Sequence, residues 1–509
     1  MLLDTGTPDR EAFSRPLDVC VVGAGPAGIT LARTLAAKGF DVALMEAGGL
    51  EFSDQSQSFY DGDIVGLDCV PTNESRLRYL GGSTGHWEGK CRMLELSDFE
   101  ARPWMPHSGW PICRGDLEPY QAEAAVIVDL ALPEDPPDIS CPQSAERFRQ
   151  FDWRWSAPTR FGEKYRDELA ASERIRVGLN ANLVDVRLTD DLGSVAGAVF
   201  RSYAADDPGF TVQARVYALC MGGLENPRAL LNFRSQRPNG IGNERDLVGR
   251  YFCDRPTVAT ADLLSAVPLG DERTNFAPTA AFAQANGLNN FTLSIEPRDV
   301  AEQGLPKALW STASCMNPAI HQLIEDMGGK KTRCLWGGLP EFNLRHHPAR
   351  HSVATIGVAL EQRLNPESRV TIAAEKDAFG LNRVQLDWRL TEADYRTLRD
   401  GTIAFGAHVA EQSLGRLRLR EWLMSDDPEL PGVGTGHGRI DGRQHMCTTR
   451  MSKDPATGVV DADCRLHSVS NLFIGGSSAF ATPGNAKPTL TIVMLALRLG
   501  GHLNTLLTA

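Results

Sequence analysis

No stretch of this chain constrains its fold more than residues 18 to 46. Asp18-Val-Cys-Val-Val22 is a short apolar run rich in β-branched residues, as expected of a parallel strand buried on both faces. Gly23-Ala-Gly25-Pro26-Ala27-Gly28 follows at once, and Ile29 to Gly39 then reads as a helix closed by glycine. Phe40 to Met45 predicts a second apolar strand, and Glu46 stands at its end, 18 residues after the last glycine of the motif. The roles are physical. Gly23 permits the tight turn, Gly25 lets backbone approach a pyrophosphate at the helix N-terminus, and Gly28 lets helix and strand pack closely. Glu46 can accept hydrogen bonds from a ribose. The motif predicts a dinucleotide-binding βαβ unit and leaves NAD and FAD both open.

Composition fits a large α/β protein. The 509 residues are 42% apolar and 23% charged, which excludes a disordered, collagenous or coiled-coil chain. The net charge of −12 argues against a phosphate-neutralising surface, so no nucleic-acid partner is expected. Eleven cysteines, none in a C-x-x-C, read as reduced, mostly buried thiols rather than a disulfide frame or zinc site. The first residues lack a basic segment followed by an apolar one, and no run approaches 18 apolar residues; neither a leader nor a membrane span is expected. The reading is a cytoplasmic protein with a small-molecule substrate, and nothing in the sequence sets its oligomeric state. His346, His347 and His351 lack the spacing and second acid of a metal centre, so no metal is expected.

Three later segments extend the nucleotide-binding pattern. Arg78-Tyr-Leu-Gly81-Gly82-Ser83-Thr84-Gly85-His86-Trp87 is a glycine-rich loop suited to close approach by a flat ring. Arg215 to Leu219 reads as a strand, Gly222-Gly223 as a turn, and a helix is predicted to begin near Pro227. Asn471 to Ile474 with Gly475-Gly476 reads as another strand and turn, followed by an apolar helix opened by Pro488-Thr489. With GAGPAG at 23–28, LGGSTGHW at 80–87, ALCMGGLENPR at 218–228, EQRLNPESRV at 361–370, TTRM at 448–451, and NLFIGGSSAFAT and KPTLTIV near the end, the chain resembles the glucose–methanol–choline (GMC) oxidoreductases. By sub-motif it looks most like their pyranose-oxidase-like bacterial branch. The resemblance implies FAD as cofactor and an α/β Rossmann-type FAD-binding domain assembled from discontinuous segments, beside an antiparallel-sheet substrate domain with helices. The segments expected for the first are 1–100, 160–255 and 435–509, and for the second 101–159 and 256–434. Alternating runs at Arg369-Val-Thr-Ile-Ala and Arg383-Val-Gln-Leu-Asp-Trp suit antiparallel strands with one wet face. Thr391–Leu414 reads as an amphipathic helix capped by Thr391, and residues 131–147 as a surface loop.

The resemblance also says where the chemistry should sit. The family's base is a histidine four residues before the threonine of an H-x-x-G-T segment, with an asparagine or histidine just before the last helix. Here the matching positions are Gln444 and Lys487: both are substituted. A glutamine amide orients a hydroxyl but is no base. His445 is chemically suitable, yet in an extended segment it would face away from its neighbour's side, and a structural role is favoured for it. Lys487, at the predicted N-cap beside Pro488, could act as a neutral amine base or as a fixed positive charge. His86 aligns with the family's flavin-attaching histidine; a noncovalent contact is favoured over a covalent link. Arg255 replaces an expected histidine and is read as pairing with Asp254. Trp104, Trp110, Trp153 and Trp155 are read as packing residues. The leading expectation is oxidation of a hydroxyl on a sugar, cyclitol or polyhydroxylated natural-product intermediate. The altered pair keeps open a non-oxidative lyase, elimination or isomerase reaction with Lys487 as acid/base, or a catalytically silent flavoprotein.

Overall fold

A computed structural model describes residues 1–131, 147–267, 269–270, 273–298, 353–426, 428, 430–431 and 443–509. The segment 132–146 and the histidines at 346, 347 and 351 lie outside the described residues.

Leu17–Val22 is almost wholly buried and forms the centre of a six-stranded parallel sheet. The sheet order is Leu2–Asp4, Ile175–Leu179, Val42–Met45, Leu17–Val22, Ala214–Leu219, Leu472–Ile474. From Leu17–Val22 the chain winds outward to Val42–Met45 on one side and later to Ala214–Leu219 on the other. The order therefore reverses at the carboxyl end of this central strand, where α/β sheets of this kind open a ligand crevice. The Gly23 turn lies at that point, followed by the helix Pro26–Ala36 with Pro26 in its first turn. A Cβ on Gly28 would lie 1.8 Å from the Gly23 carbonyl oxygen, so only glycine permits this helix–strand approach.

On the outer face of Pro26–Ala36 packs the final helix, Pro488–Thr508. Its glycine at 500 makes the approach: a Cβ there would stand 2.6 Å from the Thr34 methyl. The helix has 21 residues and mean hydropathy 1.4, long and apolar enough by those measures to cross a membrane. Glycine and threonine interrupt its apolar run without making the helix polar, so the sequence shows no 18-residue apolar stretch here. In the fold, 61% of that apolar window is buried against the protein.

A second six-stranded sheet is antiparallel throughout, in the order Gly415–Leu419, Thr257–Ser265, Val353–Leu360, Phe291–Arg298, Thr274–Pro278, Phe148–Phe151. Glu392–Glu411 covers one face, with Thr391 and Asp394 closing a capping box at its start. Phe291, Leu398, Phe405 and Val358 belong to the apolar core beneath it. The hairpin Arg369–Lys376 and Asn382–Asp387 pairs antiparallel as its alternation predicts. It stands apart from the large sheet and instead takes Gly62–Ile64 as a parallel third strand.

Two expectations change here. The helix after Ala214–Leu219 spans Gly222–Asn232 and so begins five residues before Pro227. A proline inside a helix forfeits the bond to the carbonyl four residues back. That carbonyl, on Gly223, instead accepts the Thr448 hydroxyl at 2.7 Å. Trp155 is 58% exposed rather than packed, with the Lys90 ammonium 5.1 Å from its ring. The eight cysteines among the described residues are all free, and only Cys113 is exposed.

Candidate active site

A cavity of about 630 Å3 opens at the carboxyl end of the parallel sheet. Gly23, Gly25, Pro26 and Glu46 from the dinucleotide turn line one end. Gly82, Ser83 and His86 come from the glycine loop and Gly222 from the following helix; Gln444, His445, Ser477, Lys487, Pro488 and Thr489 complete the wall. Ala27, Gly28, Gly81, Gly475 and Gly476, expected as cofactor-binding residues, do not line it. They act through packing. Gly81, at φ 94°, donates its amide to Ala24 O at 2.8 Å, which locks the glycine loop onto the dinucleotide turn. Gly475 donates to Leu219 O at 2.8 Å, and a Cβ there would meet the Cys220 sulfur at 2.5 Å.

The turn end suits a dinucleotide. The Glu46 carboxylate accepts the amides of Ala24 and Gly48, each at 2.9 Å. Burial nevertheless holds its carboxyl above the usual range, against those amides and the Arg78 charge. A Cβ on Gly25 would meet no atom within 4 Å, so the space over the helix N-terminus is left clear by the chain itself. Open space over unpaired helix amides is the cradle that a diphosphate requires. The residues present therefore fit FAD, with the turn, Glu46 and the glycine loop as its holders.

At the other end the structure brings Gln444, His445 and Lys487 to one cavity. The expectation that His445 faces away is corrected. Among the described residues, Met446 forms an isolated β-bridge to Cys253, and Cys447 takes φ 69°. So short a contact imposes no alternation of faces along 444–447. Burial, followed by the charges of Arg76 and His86, brings the His445 imidazole down to about 3, so it is neutral across the physiological range. Its Nε2 stands 4.0 Å from Asp254, whose carboxylate accepts the Gln444 backbone N–H at 3.0 Å. The His445 carbonyl accepts the Ser477 hydroxyl at 2.7 Å. Gln444 Oε1 is buried without a hydrogen-bond partner among the described residues.

Lys487 is the N-cap of the final helix, extended at φ −66° and ψ 133°, with no side-chain cap bond. Its charge acts on Glu88. Burial raises the Glu88 carboxyl, but the Lys90 hydrogen bond and the charges of Lys487, Lys90 and Arg273 leave it below the usual range.

The sequence reading missed Asp254 as the partner of this segment, and it misplaced Arg255. Arg255 donates its backbone amide to Asp254, at 2.6 Å. Its guanidinium reaches away to Thr292 and Asn485, each at 2.9 Å. No local pattern could signal this, because these partners come from strand and loop segments far along the chain. Among the described residues no group of three or more histidine, cysteine or acidic side chains could hold a metal.

Comparison with known proteins agrees with this architecture. Residues 365–496 match the GMC oxidoreductase family, and residues 17–77 match the pyridine nucleotide-disulphide oxidoreductase family. The chain is 25% identical to 6'''-hydroxyparomomycin C oxidase of Streptomyces lividus, over 97% of this chain and 92% of that protein. It is 22% identical to the fructose dehydrogenase large subunit of Gluconobacter japonicus, over 94% and 96%. Among solved structures, pyridoxine 4-oxidase from Mesorbium loti superposes with TM-score 0.55 at 16% identity, covering 96% of this chain and 99% of that one. Its C-terminal part carries the match to GMC oxidoreductases, and the protein is an FAD-dependent oxidoreductase.

Proposed function

We propose that this chain oxidises a hydroxyl of a small polyhydroxylated molecule, a sugar, cyclitol or related natural-product intermediate. The observation that carries the reading is the convergence of Gln444, His445 and Lys487 on the cavity that also holds the dinucleotide turn. The names of relatives that act on paromomycin-type compounds and fructose support the substrate class. FAD, when bound, supplies the two-electron acceptor. The unpartnered Gln444 Oε1 accepts the substrate hydroxyl and orients it. His445 takes the hydroxyl proton: it is neutral and so has a free lone pair. Asp254, nearly 4 Å from Nε2, faces the charge that forms on the ring. Lys487, adjoining the ionised Glu88, is better suited to act as a fixed positive charge than as the base.

Anaerobic mixing of the holoenzyme with a panel of sugars and cyclitols tests this. Bleaching of the flavin band by at least one member, slowed by His445→Ala and by Gln444→Ala, is expected. Product formed without bleaching would replace oxidation by a non-oxidative reaction.

A further inference from the structure

The aromatic residues beside the cavity wall run in an order that no role given above explains. Lys90–Cys91 and Arg154–Trp155 form a two-stranded antiparallel ribbon in which Lys90 lies opposite Trp155. Side chains two apart on a strand share a face, so Lys90 and Arg92 meet Trp155, Trp153 and Phe151. The Arg92 guanidinium lies 4.5 Å from the Phe151 ring centre and 5.4 Å from that of Trp153, and the Lys90 ammonium 5.1 Å from that of Trp155. Phe151 is buried, whereas Trp155, the outermost of the series, is the only exposed tryptophan among the described residues.

The indole is held firmly from behind. Ser156, the next residue, donates its amide to Gly89 O at 2.8 Å. A Cβ on Gly89, at φ 82°, would stand 2.5 Å from Ser156 O, so glycine lets the two segments meet closely. Thr159 donates its amide to Ser156 Oγ at 3.1 Å, and Trp87 Nε1 donates to Thr159 O at 2.8 Å. A backbone fixed in this way presents the ring to a ligand at little entropic cost. Trp87, Glu88, Gly89 and Lys90 all line the cavity, so Trp155 stands one side chain outward from its wall. The surroundings are polar: Lys90 is ion-paired at 2.8 Å with Glu88, whose side chain is mostly exposed. An apolar protein partner needs a contiguous apolar patch. A single indole beside an ion pair instead suits a flat ring with C–H faces and a hydroxylated edge, which is the chemistry of a pyranose.

We propose that Trp155 is an outer subsite that stacks a second sugar ring, so that the favoured substrate is a glycoside of two or more rings, oxidised on the ring that enters the cavity. This rests on the hydroxyl-oxidation reading and narrows it.

Matched glycosides test it on the holoenzyme: methyl β-D-glucoside against methyl β-cellobioside, methyl α-D-glucoside against methyl α-maltoside, and methyl β-D-galactoside against methyl β-lactoside. Dissociation constants come from the concentration dependence of anaerobic flavin reduction and, separately, from the change in tryptophan fluorescence on binding. In at least one pair the two-ring member should bind about tenfold more tightly than its one-ring partner. Trp155→Ala should remove that advantage, and Trp155→Phe should keep part of it while losing the fluorescence change. The ring is exposed, so both variants should fold. A substitution that weakens both members of a pair equally would mark a structural role and overturn the subsite. With the flavin still reduced, equal binding within every pair would overturn the subsite and leave alcohol oxidation standing, as would the failure of every two-ring member to bind. A fluorescence change on two-ring binding that Trp155→Phe abolishes, with no reduction by any probe, would uphold the subsite and overturn the oxidation reading instead. Neither binding nor reduction by any probe would overturn both.

Discussion

Gly223→Ala tests how the candidate proton acceptor is held. A Cβ at this position would stand 2.2 Å from the carbonyl oxygen of His445 and 2.5 Å from its carbonyl carbon. Real Cβ contacts do not fall below 3.0 Å, so the helix Gly222–Asn232 and the 444–447 segment must separate by roughly 0.8 Å. Both sides are pinned: the Thr448 hydroxyl binds Gly223 O, and the Ser477 hydroxyl binds His445 O, each at 2.7 Å. The strain therefore moves His445 and Gln444 rather than dissipating in a flexible side chain. A displacement near 1 Å at a proton-transferring group costs on the order of 100-fold in rate, about 2.7 kcal/mol of barrier. The assay is anaerobic stopped-flow reduction of the flavin by the fastest alcohol of the panel, with FAD content and Tm measured on the same sample. Slower reduction with FAD content retained is expected. An unchanged rate would show that this backbone contact does not position the base. A rate lost only in proportion to lost FAD would refute the reasoning equally.

Other outcomes follow from the same geometry. Gly25→Ala meets no atom of the chain, so the apoprotein should keep its Tm while FAD content after purification falls; a full complement of FAD would contradict the cradle. Glu361→Gln breaks a buried pair in which Arg102 donates at 2.5 and 2.6 Å; a loss of about 3–5 kcal/mol in urea unfolding is expected, and less than 1 kcal/mol would argue against it. His445 is protonated below about 6.5 when unfolded but only near 3 when folded. The unfolded chain thus holds the extra proton between those values, and stability falls as pH is lowered through that window. The Tm advantage of wild type over His445→Gln should shrink from pH 7 to pH 4, and a constant advantage would refute the buried neutral imidazole. Over pH 6 to 8, flavin reduction should show no acid limb attributable to His445.

What the sequence made legible was local. The 18–46 unit, the Pro488 helix start and the Thr391 capping box each declare themselves through residues within a turn or two of one another. The misreadings share a different cause. Pro227 looked like a helix start because the hydroxyl that satisfies the freed Gly223 carbonyl lies more than two hundred residues away, on Thr448. His445 looked turned away because an extended segment was assumed to alternate, whereas one bridge and a left-handed Cys447 fix its course. Asp254 and Arg255 looked like a pair because they are neighbours in sequence. Their side chains answer instead to Gln444, Asn485 and Thr292.

The parallel sheet has a temporal implication. Ala214–Leu219 receives its outer neighbour from Leu472–Ile474, and the outer side of Pro26–Ala36 is covered by Pro488–Thr508. The glycine turn that opens the nucleotide crevice thus leaves the ribosome well before its far wall. Such distant pairings form slowly, because long loops must close before they are rewarded. Secure capture of the flavin is consequently coupled to docking of the Pro488–Thr508 helix rather than to synthesis of the turn itself.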